Sequence, residues 1–246
     1  NNEVRSGQLI LPEGFQHWLI KFDGVSNNRD KELADAQGFG LIEYAYYKMA
    51  LDAGIHMNEC RVLQEHNRHH FMTKRFDRTE QGDKLHMQTL GALCHYDFNQ
   101  PGAYSYEQAM LVTEKLDLGM ASIEQLYRRA LFNIMSRNQD DHVKNIAFLM
   151  DSTGEWRLAP AYDLTFAYNP TGEFTSRHQM SLNGKCDEFE RSDFSALAQR
   201  FNIPRSREKM MVDEVSKSIR NWHKHAEDIG VPKKQIKNRQ KYHRLF

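Results

Sequence analysis

The period of the apolar positions changes several times along the chain. Around residues 17–23 the pattern is that of a strand, with Trp18 and Ile20 on one face and Lys21 on the other. From 35 to 53 the spacing lengthens: Phe39, Ile42, Ala45, Tyr46, Met49 and Ala50 form one helical stripe, which Gly54 stops. Glu43 sits beside that stripe, where a carboxylate needs either water or a cation. Segments 60–65 and 71–76 read as two strands of a hairpin, with His66, His69 and His70 in an exposed tip at 66–70. A short strand is expected over 6–11, and loops over 24–31 and 79–84.

Helical spacing returns at 87–95. After the break at Asn99-Gln100-Pro101-Gly102, both Ser105-x-x-Gln108 and Ser122-x-x-Gln125 have the spacing of a capping box. The second predicts a helix to about Arg137 that buries Ile123, Leu126, Tyr127, Ala130, Leu131 and Ile134. Residues 146–150 are a continuous apolar run, 151–154 a turn and 156–158 a returning strand. Beyond an irregular stretch over 164–183, helices are expected at 192–201, 205–229 and 233–245.

Composition narrows the classes. Thirty-three basic side chains balance 33 acidic ones over 246 residues, so nothing in the totals favours a nucleic-acid-coating or membrane-surface protein. No run is apolar enough to span a bilayer. Cys60, Cys94 and Cys186 are too scattered for a disulfide framework or a zinc site, which makes a reducing cytoplasm the expected compartment. The three tip histidines lack nearby Cys or carboxylate partners and are expected to be solvated. The basic residues over 233–244 are expected to form a solvated helix face. The polar stretch over 79–84 reads as a crossover between a β-rich lobe over 1–78 and a helical lobe over 79–246.

The chemistry concentrates in Asn138-Gln139-Asp140-Asp141-His142-Val143-Lys144-Asn145, followed past the hairpin by Ala161-Tyr162-Asp163. Asp and Asn gather in many loops simply to satisfy backbone groups. Here, though, a carboxylate, an amide five positions on and a second carboxylate flank one apolar hairpin. That set suits Mg²⁺-dependent phosphoryl transfer: a base for the attacking hydroxyl, then two hard oxygen ligands for metal on a triphosphate. The spacing selects Asp140, since only it stands five positions before Asn145; Asp141 is taken to fill a position that need not be acidic. Lys21 is a candidate phosphate ligand, and Glu43 its candidate ion-pair partner.

Trp18-Leu19-Ile20-Lys21-Phe22, Arg75-Phe76-Asp77-Arg78, Asp140 to Asn145 and Pro160-Ala161-Tyr162-Asp163, taken in order, resemble the C-terminal kinase region of HipA-like proteins. These are serine/threonine-kinase toxins of bacterial toxin–antitoxin modules. The resemblance runs from about Leu9 to the C-terminus. It implies an α+β, two-lobed, protein-kinase-like fold, use of Mg·ATP and a protein substrate. It also implies a small antitoxin partner through which DNA would be contacted. By position, Asp140 resembles the catalytic base, Asn145 and Asp163 the metal ligands, and Lys21 the ligand of the α- and β-phosphates. Lys74, Arg75 and Phe76 fall in the segment whose backbone would meet adenine, and His142, Lys144 and Tyr162 flank the nucleotide.

Two departures from the family pattern stand out. No glycine-rich phosphate loop precedes Lys21, so the chain is expected to start after it and to bind nucleotide weakly alone. Tyr162-Asp163-Leu164 stands where other kinases have Asp-Phe-Gly. Two alternatives stay open: a non-catalytic antitoxin-binding module of the same fold, and a small-molecule phosphotransferase.

Overall fold

Alternation at Trp18 becomes strand β1 (Trp18–Lys21), the edge of a three-stranded antiparallel sheet ordered β1-β3-β2. This is a computed structural model, and it describes residues 3–7, 12–24 and 38–246. The strand expected over 6–11 and the loop and helix start expected over 24–37 lie largely outside these residues. Helix α1 (Phe39–Asp52) follows, then β2 (Cys60–Glu65) and β3 (Arg68–Lys74). The hairpin turn is only His66-Asn67, with His66 at φ 52°. The wider exposed tip is therefore corrected. His70 lies inside β3 and is buried, its Nδ1 accepting the Asp23 N–H at 2.9 Å while its Nε2 meets Glu65 at 3.1 Å. Cross-strand pairing extends the sheet past the point where polarity alone ends it.

Next come β4 (His86–Thr89), α2 (Leu90–Cys94), β5 (Tyr104–Ser105), α3 (Tyr106–Lys115) and α4 (Gly119–Ser136). The helix expected over 87–95 is thus half strand, because residues 86–89 pair with β6 (Ala147–Met150) before the Thr89 hydroxyl caps α2. Ser105 and Gln108 form the expected reciprocal cap of α3. The second cap does not form. Helix α4 starts earlier, at Gly119. Gln125 instead braces the end of α1, accepting from His56 N and donating to Gly54 O, each at 2.9 Å.

Strand β7 (Trp156–Leu158) returns against β6, giving the order β4-β6-β7, and β8 (Met180–Ser181) runs parallel to β5. Helices α5 (Arg191–Arg200), α6 (Arg205–Arg220), α7 (Trp222–Glu227) and α8 (Lys233–Gln240) complete the order. The single helix expected over 205–229 is two, since fully buried Trp222 turns inward and donates Nε1–H to Ile236 O at 3.1 Å. The expected basic face on the last helix is also mixed: Arg239 lies 5.6 Å over Phe39 and 5.3 Å over Phe166.

The architecture is mixed α+β. Its main core gathers Ile42, Tyr46 and Met49 of α1 with Tyr127, Leu131 and Ile134 of α4, Val215 of α6 and Trp222 of α7. The β1-β3-β2 sheet has a small cluster of its own, Tyr47, Cys60 and Phe71. Helix α1 therefore packs on two sides. Its seat on β3 is tight, since a Cβ on Gly40 would fall 1.8 Å from the His69 carbonyl oxygen. Buried Asp23 reinforces that seat by accepting Gly38 N–H at 2.9 Å and His69 N–H at 3.2 Å.

Candidate active site

Fixing α1 on β3 fixes Glu43 opposite Lys21. Lys21 Nζ donates to Glu43 Oε1 at 2.7 Å, and also to Asp163 Oδ1. The Glu43 side chain is 8% exposed, whereas Lys21 at 48% and Asp163 at 36% are open to solvent. Burial of the ammonium would lower its pKa, but the two carboxylates more than offset this and raise it above the ordinary lysine value. Water screens the Asp163 pair more than the Glu43 pair.

The loop from 138 to 145 is tied down at its root. Helix α4 ends on Arg137 in the left-handed region, φ 62°. Arg137 then donates to Gln139 Oε1 at 2.8 Å and to Tyr242 O at 3.0 Å. Asn138 N–H reaches Asn133 O and Gln139 N–H reaches Ala167 O, at 2.9 and 3.0 Å. Asn145 Nδ2 closes the loop on the Asp140 carbonyl at 2.8 Å, which leaves its Oδ1 as the available ligand oxygen.

Asp140 and Asp141 have opposite surroundings. The Asp140 side chain is 46% exposed, with His142 Nε2 at 3.6 Å. Partial desolvation raises its pKa above the usual carboxylate value. The charges of Asp163 and Asp141 add to that, and His142 and Lys21 oppose it. Asp141, treated above as a position that need not be acidic, is a buried hub. It accepts from Tyr106 Oη at 2.6 Å, His178 Nδ1 at 2.9 Å and Gln179 N at 2.8 Å. Burial pushes this carboxyl up, but His178, Tyr106 and Gln179 outweigh it and hold the pKa below the usual range. Tyr106 and His178 carry no local sequence signal, because 35 and 37 positions separate them from Asp141.

On the far side of the hairpin, Ala161 N–H bonds His56 O at 2.8 Å and buried Arg129 donates to Ala159 O at 2.7 Å. Asp163 then adopts φ 57°, a conformation uncommon for a residue with a side chain, and its carboxylate meets Lys21. Tyr162 Oη donates to the Lys144 carbonyl, and its ring lies 5.4 Å from Phe76. Phe76, Met87 and Tyr162 pack against Ala147, Leu149 and Ala159 as an apolar wall.

Sequence reasoning groups Lys74 and Arg75 with Phe76, but their contacts run elsewhere. Lys74 N–H is bonded to Glu59 O and Arg75 N–H to His17 O, at 2.8 and 2.9 Å. The Arg75 guanidinium goes to Asp77, at 2.8 Å from Oδ1. Behind the loop, Tyr106, Arg129, Asn133, Asn138, Asp141 and His142 line a cavity of about 10 Å³, far too small for a nucleotide. Among the described residues no three His, Cys, Asp or Glu side chains form a metal cage. One amide oxygen and one carboxylate nonetheless suit a Mg²⁺ that takes its remaining oxygens from phosphates and water.

The sequence model of the HipA-like C-terminal domain matches residues 4–223. The chain belongs to the HipA-like C-terminal domain family. A candidate kinase of Haemophilus influenzae is 31% identical over 134 residues, covering 49% of this chain and 39% of that protein. The candidate kinase Y4dM of Sinorhizobium fredii is 24% identical over 234 residues, covering 90% of this chain and 54% of the relative. Among solved structures, the chain resembles HipA of Shewanella oneidensis MR-1, determined with HipB and its operator DNA. The TM-score is 0.67 and the identity 14%, over 98% of this chain and 65% of that one. It also resembles the Helicobacter pylori proinflammatory kinase CtkA, with TM-score 0.52 and identity 12%, over 93% and 88% of the two chains. Both neighbours have kinase-like folds, so the α+β, kinase-like architecture and the HipA-like family read from the sequence hold. The chain thus spans about two-fifths to two-thirds of the family relatives it matches. No helix among the described residues is long and apolar enough to cross a membrane.

Proposed function

We propose that this chain is the kinase region of a HipA-like toxin and transfers the γ-phosphate of Mg·ATP to a serine or threonine hydroxyl of a protein. The observation that carries this reading is the meeting of Lys21 with Glu43 and Asp163, close enough to Asp140 for their charges to act on it, together with an Asn145 amide locked to the Asp140 backbone. Asp140 is the base: half exposed, it is open to a hydroxyl, and its raised pKa suits proton acceptance. Asn145 Oδ1 and the Asp163 carboxylate would hold Mg²⁺, which would supply charge neutralisation on the phosphates.

Buried Glu43 is the carboxylate that holds Lys21, while the more exposed Asp163 is the one that would turn to metal. Phe76 and Tyr162 are the rings that would hold adenine. Among the described residues Phe76 has no backbone hydrogen bond of its own, so its N–H and C=O are the groups left to read the base edge. His142 and Lys144, with Tyr162, would flank the nucleotide. The lobes divide at 78–79, with α1 serving both. A small antitoxin protein is the proposed partner, DNA being contacted mainly through it, in a cytoplasmic setting.

Titration calorimetry with Mg·ATP and transfer of labelled γ-phosphate test this reading. Binding is expected, together with a loss of transfer of about 10²–10⁴ in Asp140→Ala. Undiminished transfer by that variant overturns the assignment.

A further inference from the structure

One large apolar side chain beside the site has no part in the roles given so far. Phe98 is 40% exposed, between Asp97 and the Asn99-Gln100 pair. Its ring lies 6.0 Å from the His142 ring at 64°, and His142 Nε2 is in turn 3.6 Å from Asp140 Oδ1. Lys144 Nζ rests 3.1 Å from the centre of the Phe98 ring. Only one imidazole therefore separates Phe98 from the proposed base.

The turn that carries Phe98 is held from within. Asp97 Oδ1 accepts from Asn99 N at 3.0 Å and from Asn99 Nδ2 at 2.9 Å, and Oδ2 accepts from Gln100 Nε2 at 3.3 Å. Asp97 N–H donates to Tyr104 Oη at 2.8 Å, and Tyr104 stacks on Tyr96 with ring centres 4.2 Å apart. Gly102 N–H bonds Gln179 O at 2.8 Å, and Gln179 N–H bonds Asp141. The turn and the catalytic loop thus share the Asp141 hub, which fixes Phe98 relative to Asp140. An aromatic ring held in place before its partner arrives loses little entropy on contact, the condition that favours recognition.

Resting on the kinase reading, we infer that Phe98 is a specificity-determining residue on the acceptor side. The exposed part of its ring receives an apolar side chain of the acceptor protein, two or three residues from the phosphorylated hydroxyl. The reach agrees with this, since an extended segment whose hydroxyl meets Asp140 advances ~3.3 Å per residue.

The test is a serine/threonine peptide library assayed with the protein, Phe98→Ala and Phe98→Leu, with Mg·ATP calorimetry on the parent. The readout is the ratio of kcat/KM for Leu over Asp at each position two or three residues from the acceptor, so a general loss of activity cancels. The parent is expected to favour Leu roughly tenfold at one of these positions. Phe98→Ala should bring that ratio close to one, and Phe98→Leu should retain most of it. An unchanged ratio in Phe98→Ala overturns the inference. So does a Phe98→Leu that behaves like Ala, which would reduce the ring to a rest for Lys144. If the parent binds Mg·ATP but phosphorylates no peptide, the acceptor contact falls and the nucleotide site stands. A parent that binds no Mg·ATP removes the kinase reading, and this inference with it.

Discussion

Asp140 and Asp141 are adjacent and identical in type, and replacing each by alanine should do opposite things. Asp141→Ala deletes the common acceptor of Tyr106, His178 and Gln179 at a site that is 1% exposed. The His178 imidazole, itself fully buried, loses its carboxylate and two further donors lose their acceptor. Breaking a buried pair from one side costs roughly 3–5 kcal/mol. A domain of this kind has about 5–15 kcal/mol in all. With a urea m-value of ~3 kcal/mol/M, the unfolding midpoint should fall by about 1 M or more. Asp140→Ala removes a half-exposed carboxylate that approaches His142 at 3.6 Å, so its stability should stay within about 0.5 kcal/mol of the parent's. The same Asp140 variant should lose transfer. Urea unfolding followed by tryptophan fluorescence, with both proteins prepared alongside the parent, separates the two. An Asp141→Ala midpoint equal to the parent's would refute the buried-hub reasoning.

Three other outcomes are expected. Gly40→Ala forces a methyl group against the His69 carbonyl oxygen, so it should destabilise by about 1–3 kcal/mol or more. It should also weaken Mg·ATP binding in calorimetry, because α1 carries Glu43. Lys21→Ala should weaken Mg·ATP binding roughly 10–100-fold, the worth of a charge-assisted hydrogen bond; an unchanged Kd would remove Lys21 from the site. Burial and the Arg137 charge depress the pKa of His243 from 6.5 to about 4. The unfolded chain therefore binds the extra proton between those values, and stability present above pH 6.5 is lost as the pH falls towards 4. Thermal melts across that window should show His243→Gln less acid-sensitive than the parent. Asp141 titrates below its usual range and so contributes mainly at lower pH.

Where the sequence was sufficient, the information was local. The helical stripe of α1, the Ser105 cap and the β6–β7 hairpin each depend on neighbours a few residues away, and each formed. Periodicity placed Glu43 beside the apolar face, and the structure pairs it with Lys21, 22 positions away. The errors share a cause as well. Residues 86–89 carry a helical pattern, but the open edge of β6 captured them as a strand. Ser122 and Gln125 have capping spacing, yet Gln125 found backbone partners on the α1 exit loop instead. Asp141 looked dispensable because the groups that give it meaning come from α3 and from the segment before β8. In each case a long-range partner outbid a local preference, and no window of sequence contains that partner.

The same division explains how the site is built. Groups that must hold position are buried: Asp141 against Tyr106 and His178, Glu43 under Lys21, and Asp23 at the start of α1. Groups proposed to meet a ligand keep a third to a half of their side-chain surface open, as Asp140, Lys21 and Asp163 do. A fully buried Asp140 could not reach a hydroxyl, and a fully exposed one would have no neighbours to tune its pKa. Helix α1 joins the two sides. The sheet bearing Lys21 has a small cluster of its own, whereas α1 shares the main core with α4, α6 and α7. The position of the ammonium is therefore set largely by the helix that carries its carboxylate partner, and that helix is anchored in the same core as the root of the Asp140 loop.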